Sequence, residues 1–308
     1  MKITVIGAGN VGASLAQRLV EQDFADVVIL DIVEGLPQGK ALDIRQSAHI
    51  LGFTHRIIGT NNYEETAGSN IVVVTSGIAR KPGMTREELI KINANIVADV
   101  VAKAAEHSPG CVIITVANPV DSMTYLALKV SGFPRHRVFG LSGVLDSARL
   151  ASFIAQELNV PDSEVSCYVL GEHGQNMVIL PRLAMVGGKA LTDLIPAASV
   201  VALAQRTIAG GAEIVSLLKT SSAFYAPSAA IMKMVLAITR DTKELMPVAA
   251  CLAGEYGLSD VVIGVPVKLG KNGISEFEPL ALTAEEKRLL ADSAEAVRQQ
   301  IANLPTRG

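Results

Sequence analysis

A glycine-rich turn separates the first apolar run of the chain from the first helical pattern. Residues 3–6 have the composition of a strand, and Gly7-Ala8-Gly9-Asn10-Val11-Gly12 follows them directly. In this context the first glycine permits a tight turn, the second lets backbone approach a pyrophosphate, and the third lets a helix pack close to the strand. The turn therefore predicts a strand–turn–helix unit whose helix begins at a phosphate site.

Strand-like runs alternate with helical patterns through the first half of the chain. Such alternation predicts right-handed crossovers and a parallel sheet covered by helices. We therefore expect an α/β fold with a Rossmann-type, doubly wound parallel sheet. The runs cover residues 3–6, 27–30, 71–75, 112–116 and, more weakly, 137–141.

The pattern changes beyond Ser142-Gly143, where we place a domain boundary. An Asn-Gly turn signal at Lys271-Asn272-Gly273 lies between two apolar runs and predicts an antiparallel hairpin. Residues 143–308 are therefore expected to form an α+β substrate and catalytic domain after the cofactor-binding domain of residues 1–142. The patterns behind this are helices at 144–158, 200–218 and 227–239, a strand at 165–170, and hairpin strands at 261–269 and 274–277.

Composition excludes several classes of partner. The chain of 308 residues has a formal net charge of -3 and 19% charged residues, so we expect neither nucleic acid nor a membrane as a partner. Met1-Lys2 leads straight into the first strand, which leaves no room for a leader peptide and predicts a cytoplasmic protein. The cysteines lack pairing or metal-ligand spacing, so we expect reduced core thiols and no metal site.

An acid at the end of the second strand indicates which dinucleotide is bound. Asp31 lies about 20 residues after the glycine turn, where a carboxylate accepts hydrogen bonds from both ribose hydroxyls. It would also repel a 2′-phosphate, and Ile32 and Val33 offer no cation to receive one. NAD is therefore the expected cofactor, with Val116 and Asn118 at another strand end as further candidates for contact with it.

A histidine and a helical Asp–Arg pair form a candidate proton relay. His173 follows a predicted strand within Gly171-Glu172-His173-Gly174, and Asp146 and Arg149 are three residues apart on one helix face. A buried aspartate beside imidazole fixes its tautomer and favours imidazolium, which suits proton exchange near neutral pH. Arg149 would then hold a substrate carboxylate, and Asn118 would give its amide to a substrate oxygen or to the cofactor.

Two arginines stand on a loop between a predicted strand and the next helix. Arg80 and Arg86 are separated by Pro82-Gly83 within residues 77–86. A guanidinium is always charged and can bind a carboxylate through two parallel hydrogen bonds, so arginine on a closing loop suits substrate capture. The alternative interpretation is a solvated basic loop.

These residues, in this order and spacing, resemble the lactate and malate dehydrogenase family over essentially the whole chain. The resemblance is closest to the lactate-dehydrogenase-like malate dehydrogenases of bacteria, also through residues 39–43 and Tyr225-Ala226-Pro227. It implies reversible hydride transfer between NAD and malate or oxaloacetate by a homodimer or homotetramer.

The resemblance also implies a role for each site residue. His173 would exchange a proton with the substrate oxygen while Asp146 orients it. Arg149 would bind the carboxylate common to all family substrates, Arg86 would polarise the reacting carbonyl, and Asn118 would add a hydrogen bond. These charge interactions strengthen when loop closure excludes water.

Arg80 occupies the family's specificity position, where lactate dehydrogenases carry glutamine and malate dehydrogenases arginine. A charged hydrogen bond contributes roughly 1.5 to 3 kcal/mol, so one residue can discriminate strongly between substrates. Pyruvate would leave Arg80 without a partner, whereas oxaloacetate and malate provide a second carboxylate.

Some positions depart from the family pattern and keep alternatives open. Gln175 stands where many relatives have Asp, and Ala117 replaces a polar residue, while Ser221-Ser222-Ala223 resembles the substrate-pocket helix. The favoured hypothesis is an NAD-dependent malate dehydrogenase. The alternatives are a lactate or other 2-hydroxyacid dehydrogenase and a nonenzymatic NAD-binding regulatory protein.

Overall fold

The structure is a computed structural model that describes residues 1–78 and 83–305, with the backbone alone at Arg86. Strands and helices alternate through the first half of the chain. Their bounds are β1 Lys2–Ile6, α1 Asn10–Glu21, β2 Asp26–Leu30, α2 Leu36–Gln46, α3 Ala48–Leu51, β3 Ile57–Thr60, β4 Ile71–Val74, α4 Arg86–His107, β5 Val112–Thr115, α5 Val120–Ser131 and β6 Val138–Gly140.

The second half mixes short strands with longer helices before a final strand group and helix. Its elements are α6 Gly143–Leu158, β7 Val165–Ser166, β8 Val169–Gly171, β9 Met177–Ile179, β10 Met185–Val186, β11 Lys189–Ala190, α7 Leu191–Leu194, α8 Ala197–Leu218, α9 Tyr225–Thr239, β12 Glu244–Ala253, β13 Ser259–Gly270, β14 Gly273–Phe277 and α10 Ala284–Ala302.

The first six strands form the parallel sheet that the alternation predicts. Their order is β3-β2-β1-β4-β5-β6, and each neighbouring pair is parallel. The chain therefore reverses its direction of winding between β1 and β4, which places the ligand crevice of such sheets at their carboxyl ends. The predicted α/β fold with a doubly wound parallel sheet is confirmed.

Both faces of this sheet are buried, which explains why its strands are continuous apolar runs. Ile3 and Val5 face one cluster with Leu15 of α1, whereas Ile6 faces the opposite cluster with Val97 of α4. Alternate side chains of a strand point to opposite faces, so helices on both sides are needed to cover them. Burial on both sides makes this half a rigid base for the loops at its edge.

The second half continues the sheet with antiparallel strands. β6 pairs with β12, β12 with β13, and β13 with both β14 and β8. The predicted hairpin is confirmed, because Gly270 pairs with Gly273 at the turn between β13 and β14. The long strand β12 carried no prediction.

The continuous strand expected at residues 165–170 is wrong. The chain forms β7, which pairs with β10 in a small separate sheet, and then β8, which pairs with β9 and β13. Ser147 of α6 causes the break, since its hydroxyl accepts the Val169 N–H at 2.9 Å and its carbonyl accepts from Cys167 Sγ at 3.2 Å. The Ser147 hydroxyl thus takes a backbone N–H that a continuous strand would give to a neighbour.

Helix α8 is long and apolar enough to cross a membrane by length and composition, and 17% of its most apolar window is buried. Its middle carries Arg206 and Glu213, whose Nη2 and Oε1 atoms lie 2.9 Å apart. The same helix packs against α6, with Leu203 and Thr207 buried. An ion pair midway along a helix is costly in lipid. The exposed apolar face of α8 is therefore better suited to contact with protein than with a membrane.

Candidate active site

The glycine turn forms a tight connection between β1 and α1. Gly7 has a φ of 111°, and a Cβ on Gly12 would lie 1.9 Å from the Gly7 carbonyl oxygen, so helix and turn are in direct backbone contact. A Cβ on Gly9, by contrast, would meet nothing within 4 Å among the described atoms. The turn therefore leaves open space beside the first amides of α1, where a phosphate group would bind.

Asp31 lies beside this turn at the end of β2. Its Oδ2 accepts the Ala8 N–H at 2.6 Å, and its Oδ1 accepts the Val33 N–H at 2.9 Å. Each oxygen keeps a further lone pair, so the carboxylate is fixed in place and still able to accept from ribose hydroxyls. Open space at Gly9, free helix amides and this carboxylate together fit an adenosine dinucleotide.

Asp146 connects the histidine and the arginine of the predicted relay. Its Oδ2 lies 2.6 Å from His173 Nδ1, and its Oδ1 accepts from Arg149 Nη1 at 3.1 Å. The carboxylate is 1% exposed, whereas the imidazole and the guanidinium are 16% and 14% exposed. One buried acid therefore orients two side chains that reach the surface of a cavity.

The charge of Asp146 governs the protonation of His173. Burial alone lowers the pKa of the imidazole, but the negative charge of Asp146 and the hydrogen bond to it outweigh burial, and the pKa of His173 is raised. The positive charge of Arg149 acts in the opposite direction. The imidazole is thus able to hold a proton near neutral pH while Nε2 remains directed away from Asp146.

Two consecutive glycines of α8 lie against the side chain of Arg149. A Cβ on Gly210 would lie 3.4 Å from Arg149 Cδ, and one on Gly211 would lie 3.8 Å from Nη2. Glycine in the middle of a helix costs about 1 kcal/mol relative to alanine. Both distances are ordinary van der Waals contacts, so a methyl group would fit at either position and the contact with Arg149 does not itself require glycine.

A cavity of about 550 Å³ joins the nucleotide side to the relay. Of the predicted site residues, Val11, Val116, Asn118, Arg149 and His173 line it together. Asp146 lies behind the imidazole, and the glycine turn and Asp31 lie at the nucleotide side. Further lining residues that the sequence singled out are Ala117, Gln175, Ser222, Ala223 and Pro227.

The structure describes little of the two loop arginines. Arg80 lies outside the described residues, and of Arg86 the backbone alone is described, at the first position of α4. The start of that helix is well defined, since Thr85 and Glu88 form a capping box with bonds of 3.1 Å and 2.8 Å. The loop ends in a fixed helix start next to the cavity.

Asn93 is a site residue without a sequence prediction. This buried amide of α4 accepts the Ile78 N–H at 2.8 Å and donates to the carbonyls of Ile78 and Asn118, the latter at 2.7 Å. It therefore ties the described beginning of the arginine loop to the Asn118 turn. A polar residue within the buried stripe of Leu89 and Val97 is the signal that could have found it.

Asp121 lies three residues after Asn118, and no role was predicted for it from the sequence. Its Oδ2 accepts the main-chain N–H of His173 at 2.9 Å. Burial raises the pKa of the Asp121 carboxyl to about 7, although the bond from His173 opposes this shift. The first turn of α5 is thus in contact with the residue that carries the imidazole.

Known proteins resemble the chain over nearly its full length. Residues 1–140 match the family model described as lactate/malate dehydrogenase, NAD binding domain, and residues 143–305 match that of the lactate/malate dehydrogenase, alpha/beta C-terminal domain. A malate dehydrogenase of Dehalococcoides mccartyi is 60% identical over 303 residues, which are 98% of this chain and 99% of that protein.

Solved structures give the same fold for two substrate classes. The malate dehydrogenase of Salinibacter ruber has a TM-score of 0.94 at 47% identity, covering 98% of this chain and 97% of its own. The lactate dehydrogenase of Cryptosporidium parvum, solved with lactic acid and NAD, has a TM-score of 0.94 at 38% identity, with coverage of 98% and 96%. Backbone similarity therefore does not separate the two substrates. On its sequence, its fold and the composition of this cavity, the chain belongs to the lactate/malate dehydrogenase family.

Proposed function

We propose that the chain is an NAD-dependent malate dehydrogenase that interconverts malate and oxaloacetate. The observation that carries this proposal is the contact of one buried carboxylate, Asp146, with both His173 and Arg149 at a shared cavity. A general acid or base and an anion-binding cation are thereby held at fixed separation, as a 2-oxoacid requires. The high identity to curated malate dehydrogenases supports the choice of substrate.

The proton transfer is assigned to His173. Nδ1 is directed to Asp146, which leaves Nε2 as the nitrogen for the substrate oxygen. In oxaloacetate reduction the imidazolium gives its proton to the carbonyl oxygen as the alcohol forms, and in malate oxidation the neutral imidazole takes it back. The raised pKa of His173 favours the protonated form needed for reduction.

Substrate binding is assigned to the cations and the amide around the cavity. Arg149 binds the carboxylate next to the reacting carbon, and Asn118 donates its amide to the substrate oxygen or the cofactor. By the family resemblance, Arg86 polarises the carbonyl and Arg80 receives the second carboxylate. Guanidinium groups suit both tasks because they bind carboxylates through paired hydrogen bonds.

The cofactor site is assigned to the glycine turn, Asp31 and the adjacent strand ends. When bound, oxidised NAD would accept the hydride from malate, and its reduced form NADH would supply the hydride to oxaloacetate. Gly7, Ala8, Gly9, Asn10, Val11 and Gly12 hold the pyrophosphate through backbone amides and close approach, and Asp31 binds the ribose hydroxyls. Val116 and Asn118, which line the cavity, are assigned to contact with the nicotinamide half of the cofactor.

The alternative with a specific observation in its favour is a lactate or other 2-hydroxyacid dehydrogenase. The lactate dehydrogenase of Cryptosporidium parvum has the same TM-score as the malate dehydrogenase of Salinibacter ruber. Arginine at position 80 argues against this alternative. An NAD-binding protein without activity would have no use for the Asp146–His173 contact.

The deciding experiment measures NADH oxidation with oxaloacetate and with pyruvate. We expect oxaloacetate to be preferred by about 10²-fold or more in kcat/KM, since loss of a charged pair costs about 1.5 to 3 kcal/mol and other contacts add to it. Arg80→Gln should lose most oxaloacetate activity, whereas Lys81→Gln, which removes a loop charge but no guanidinium, should retain it. Equal or better efficiency with pyruvate would refute the malate assignment.

We also propose that the protein is a homo-oligomer, a dimer or a pair of dimers. Exposed apolar side chains on α8 and on the α2–α3 segment support this, including Leu217 at 74% and Ile50 at 82% exposure. A second copy covering them would explain why this apolar helix is largely uncovered in a single chain. Light scattering after size exclusion tests it, and a monomer at micromolar concentration would contradict it.

We place the domain boundary at Ser142-Gly143 and the protein in the cytoplasm. Support for the boundary is the change from parallel to antiparallel pairing between β6 and β12. Support for the compartment is the burial of Cys111 and Cys251 as free thiols. Limited proteolysis and cell fractionation are the respective tests.

A further inference from the structure

Asp121 is a buried acid that has no role in the proton transfer, substrate binding or cofactor binding proposed above. Its side chain lies in the first turn of α5 and is 1% exposed. Oδ2 accepts the His173 N–H at 2.9 Å, and Oδ1 has no hydrogen-bond partner among the described residues. A buried carboxyl with one bond is costly, so an apolar side chain would serve helix packing better.

The bond to His173 substitutes for a missing strand contact. β8 ends at Gly171, so the main chain of His173 lies beyond the sheet ladder. The neighbouring bonds hold only the flanks of this loop: Ser293 Oγ accepts the Glu172 N–H at 2.7 Å, and the Glu172 carboxylate accepts from Asn176. Among the described residues, it is Asp121 that accepts a hydrogen bond from the backbone N–H of His173 itself.

The same turn of chain carries a residue of the cavity. Asn118 stands three residues before Asp121, joined to it through the cis Asn118–Pro119 bond and the start of α5. One short segment therefore presents an amide to the cavity and holds the backbone of His173. Since β8 and His173 belong to the second half of the chain, the Asp121 bond also joins the two halves at the reacting centre.

We propose that Asp121 is a positioning residue for His173, fixing the main chain of the proton donor relative to the Asn118 turn. The inference rests on the function proposed above. Asp146 fixes the imidazole at Nδ1, and Asp121 fixes the main-chain amide, so the residue is held at two points. A shift of about 1 Å at a reacting group can cost about 100-fold in rate. The charged groups that face Asp121 are His173, Glu172 and Asp146.

The test compares Asp121→Ala and Asp121→Asn in oxaloacetate reduction. Alanine removes the acceptor, so kcat should fall by about 30- to 100-fold. KM for oxaloacetate should change less than about threefold, because Arg149 is oriented by Asp146 and not by Asp121. Asparagine keeps an acceptor oxygen at the same reach, so its kcat should stay within about fivefold of the unmodified chain. Ser122→Ala, a buried neighbour on the same helix, is the matched control.

A pH profile separates positioning from general damage. If the ring moves, it loses part of its contact with Asp146, so the apparent pKa of His173 in the kcat/KM profile should fall further in Asp121→Ala than in Asp121→Asn. The proposal is overturned if folded Asp121→Ala keeps kcat within about threefold of the unmodified chain, since the bond then does not position the ring. It is also overturned if folded Asp121→Asn is as impaired as alanine, because hydrogen-bond acceptance would not be the role.

Two further measurements keep the outcome interpretable. Should Asp121→Ala fail to fold, Asp121→Ser takes its place, because its hydroxyl is too short to reach the His173 amide. His173→Asn tests the underlying function: if it retains full activity, or if the unmodified chain does not turn over oxaloacetate, the proposed function fails independently of Asp121.

Discussion

The imidazole of His173 is held 2.6 Å from a carboxylate oxygen of Asp146 that is almost wholly excluded from solvent. The contact sets the tautomer by placing the proton of Nδ1 between the two groups. It also stabilises the charged imidazolium, which together with Arg149 compensates the buried negative charge of Asp146.

Asp146→Asn should lower kcat by about 10²- to 10⁴-fold, because the ring loses both its orientation and its counter-charge. Oxaloacetate reduction needs the protonated ring. Burial lowers the pKa of His173, but Asp146 raises it by more, so the net pKa is raised. The decline of kcat/KM with rising pH should therefore begin at a lower pH in the variant. The exposed Glu157→Gln on the same helix should leave the pH profile unchanged, and an unshifted profile in Asp146→Asn would contradict the assignment.

Gly9→Ala and Gly12→Ala should separate cofactor binding from folding. A Cβ at Gly9 meets nothing within 4 Å, so the free energy of unfolding should change by less than about 0.5 kcal/mol. NADH affinity should still fall by about tenfold or more, as the methyl group occupies the pyrophosphate approach. At Gly12 the methyl group would collide with the Gly7 carbonyl, so stability should also fall, by about 1 to 3 kcal/mol.

Urea unfolding and NADH fluorescence titration measure these two effects. Gly39→Ala in α2, where a Cβ also meets nothing within 4 Å, is the control and should not change NADH affinity. Undiminished NADH binding by Gly9→Ala would place the pyrophosphate elsewhere.

Asn93→Ala should lower the free energy of unfolding by about 2 to 4 kcal/mol. The substitution removes three hydrogen bonds and leaves their backbone partners buried without a hydrogen-bond partner. The beginning of the arginine loop and the Asn118 turn would no longer be joined, so kcat/KM for oxaloacetate should fall as well. Asn95→Ala, two residues later on the exposed side of α4, provides the comparison. Equal stability of the two variants in urea would show that the Asn93 bonds contribute little.

Asp121→Asn should change how stability depends on pH. The pKa of this carboxyl is raised to about 7 in the folded chain, against 3.8 ordinarily, so folding favours its protonated form. The associated stability is present at low pH and is lost as pH rises towards 7, with little further change above it. Asparagine cannot ionise, so the variant should gain on the unmodified chain by roughly 2 to 3 kcal/mol between pH 5 and pH 7.5. Urea titrations at each pH give the free energy of unfolding of both chains. If this free energy changed with pH equally in the two chains across this range, the raised pKa would be contradicted.

The parallel half of the fold was predictable because its strands are apolar on both faces and each is followed by a helical pattern. The strand at residues 165–170 was not, since a side-chain bond from Ser147 on a distant helix breaks it. The long strand β12 was missed because its apolar run at residues 245–252 has no alternation that separates a strand from a buried helix.

Within the site, residues with a distinctive chemical type were easier to find than those acting through backbone contacts. His173, Asp146 and Arg149 were proposed together and do meet in space. Asn93 and Asp121 bind main-chain groups, and no sequence spacing announces which amide or carbonyl will lie opposite a buried polar side chain. Arg80 remains a prediction from the resemblance.

The carboxylate shared by His173 and Arg149 makes two binding events depend on each other. Arg149 lowers the pKa of His173, so an oxoacid that neutralises the guanidinium strengthens the hold of the imidazole on its proton. Calorimetry in buffers of different ionisation enthalpy should detect that proton being taken up. By reciprocity, acidification tightens oxoacid binding by the same factor, so anion capture and readiness to protonate the product arise in a single equilibrium.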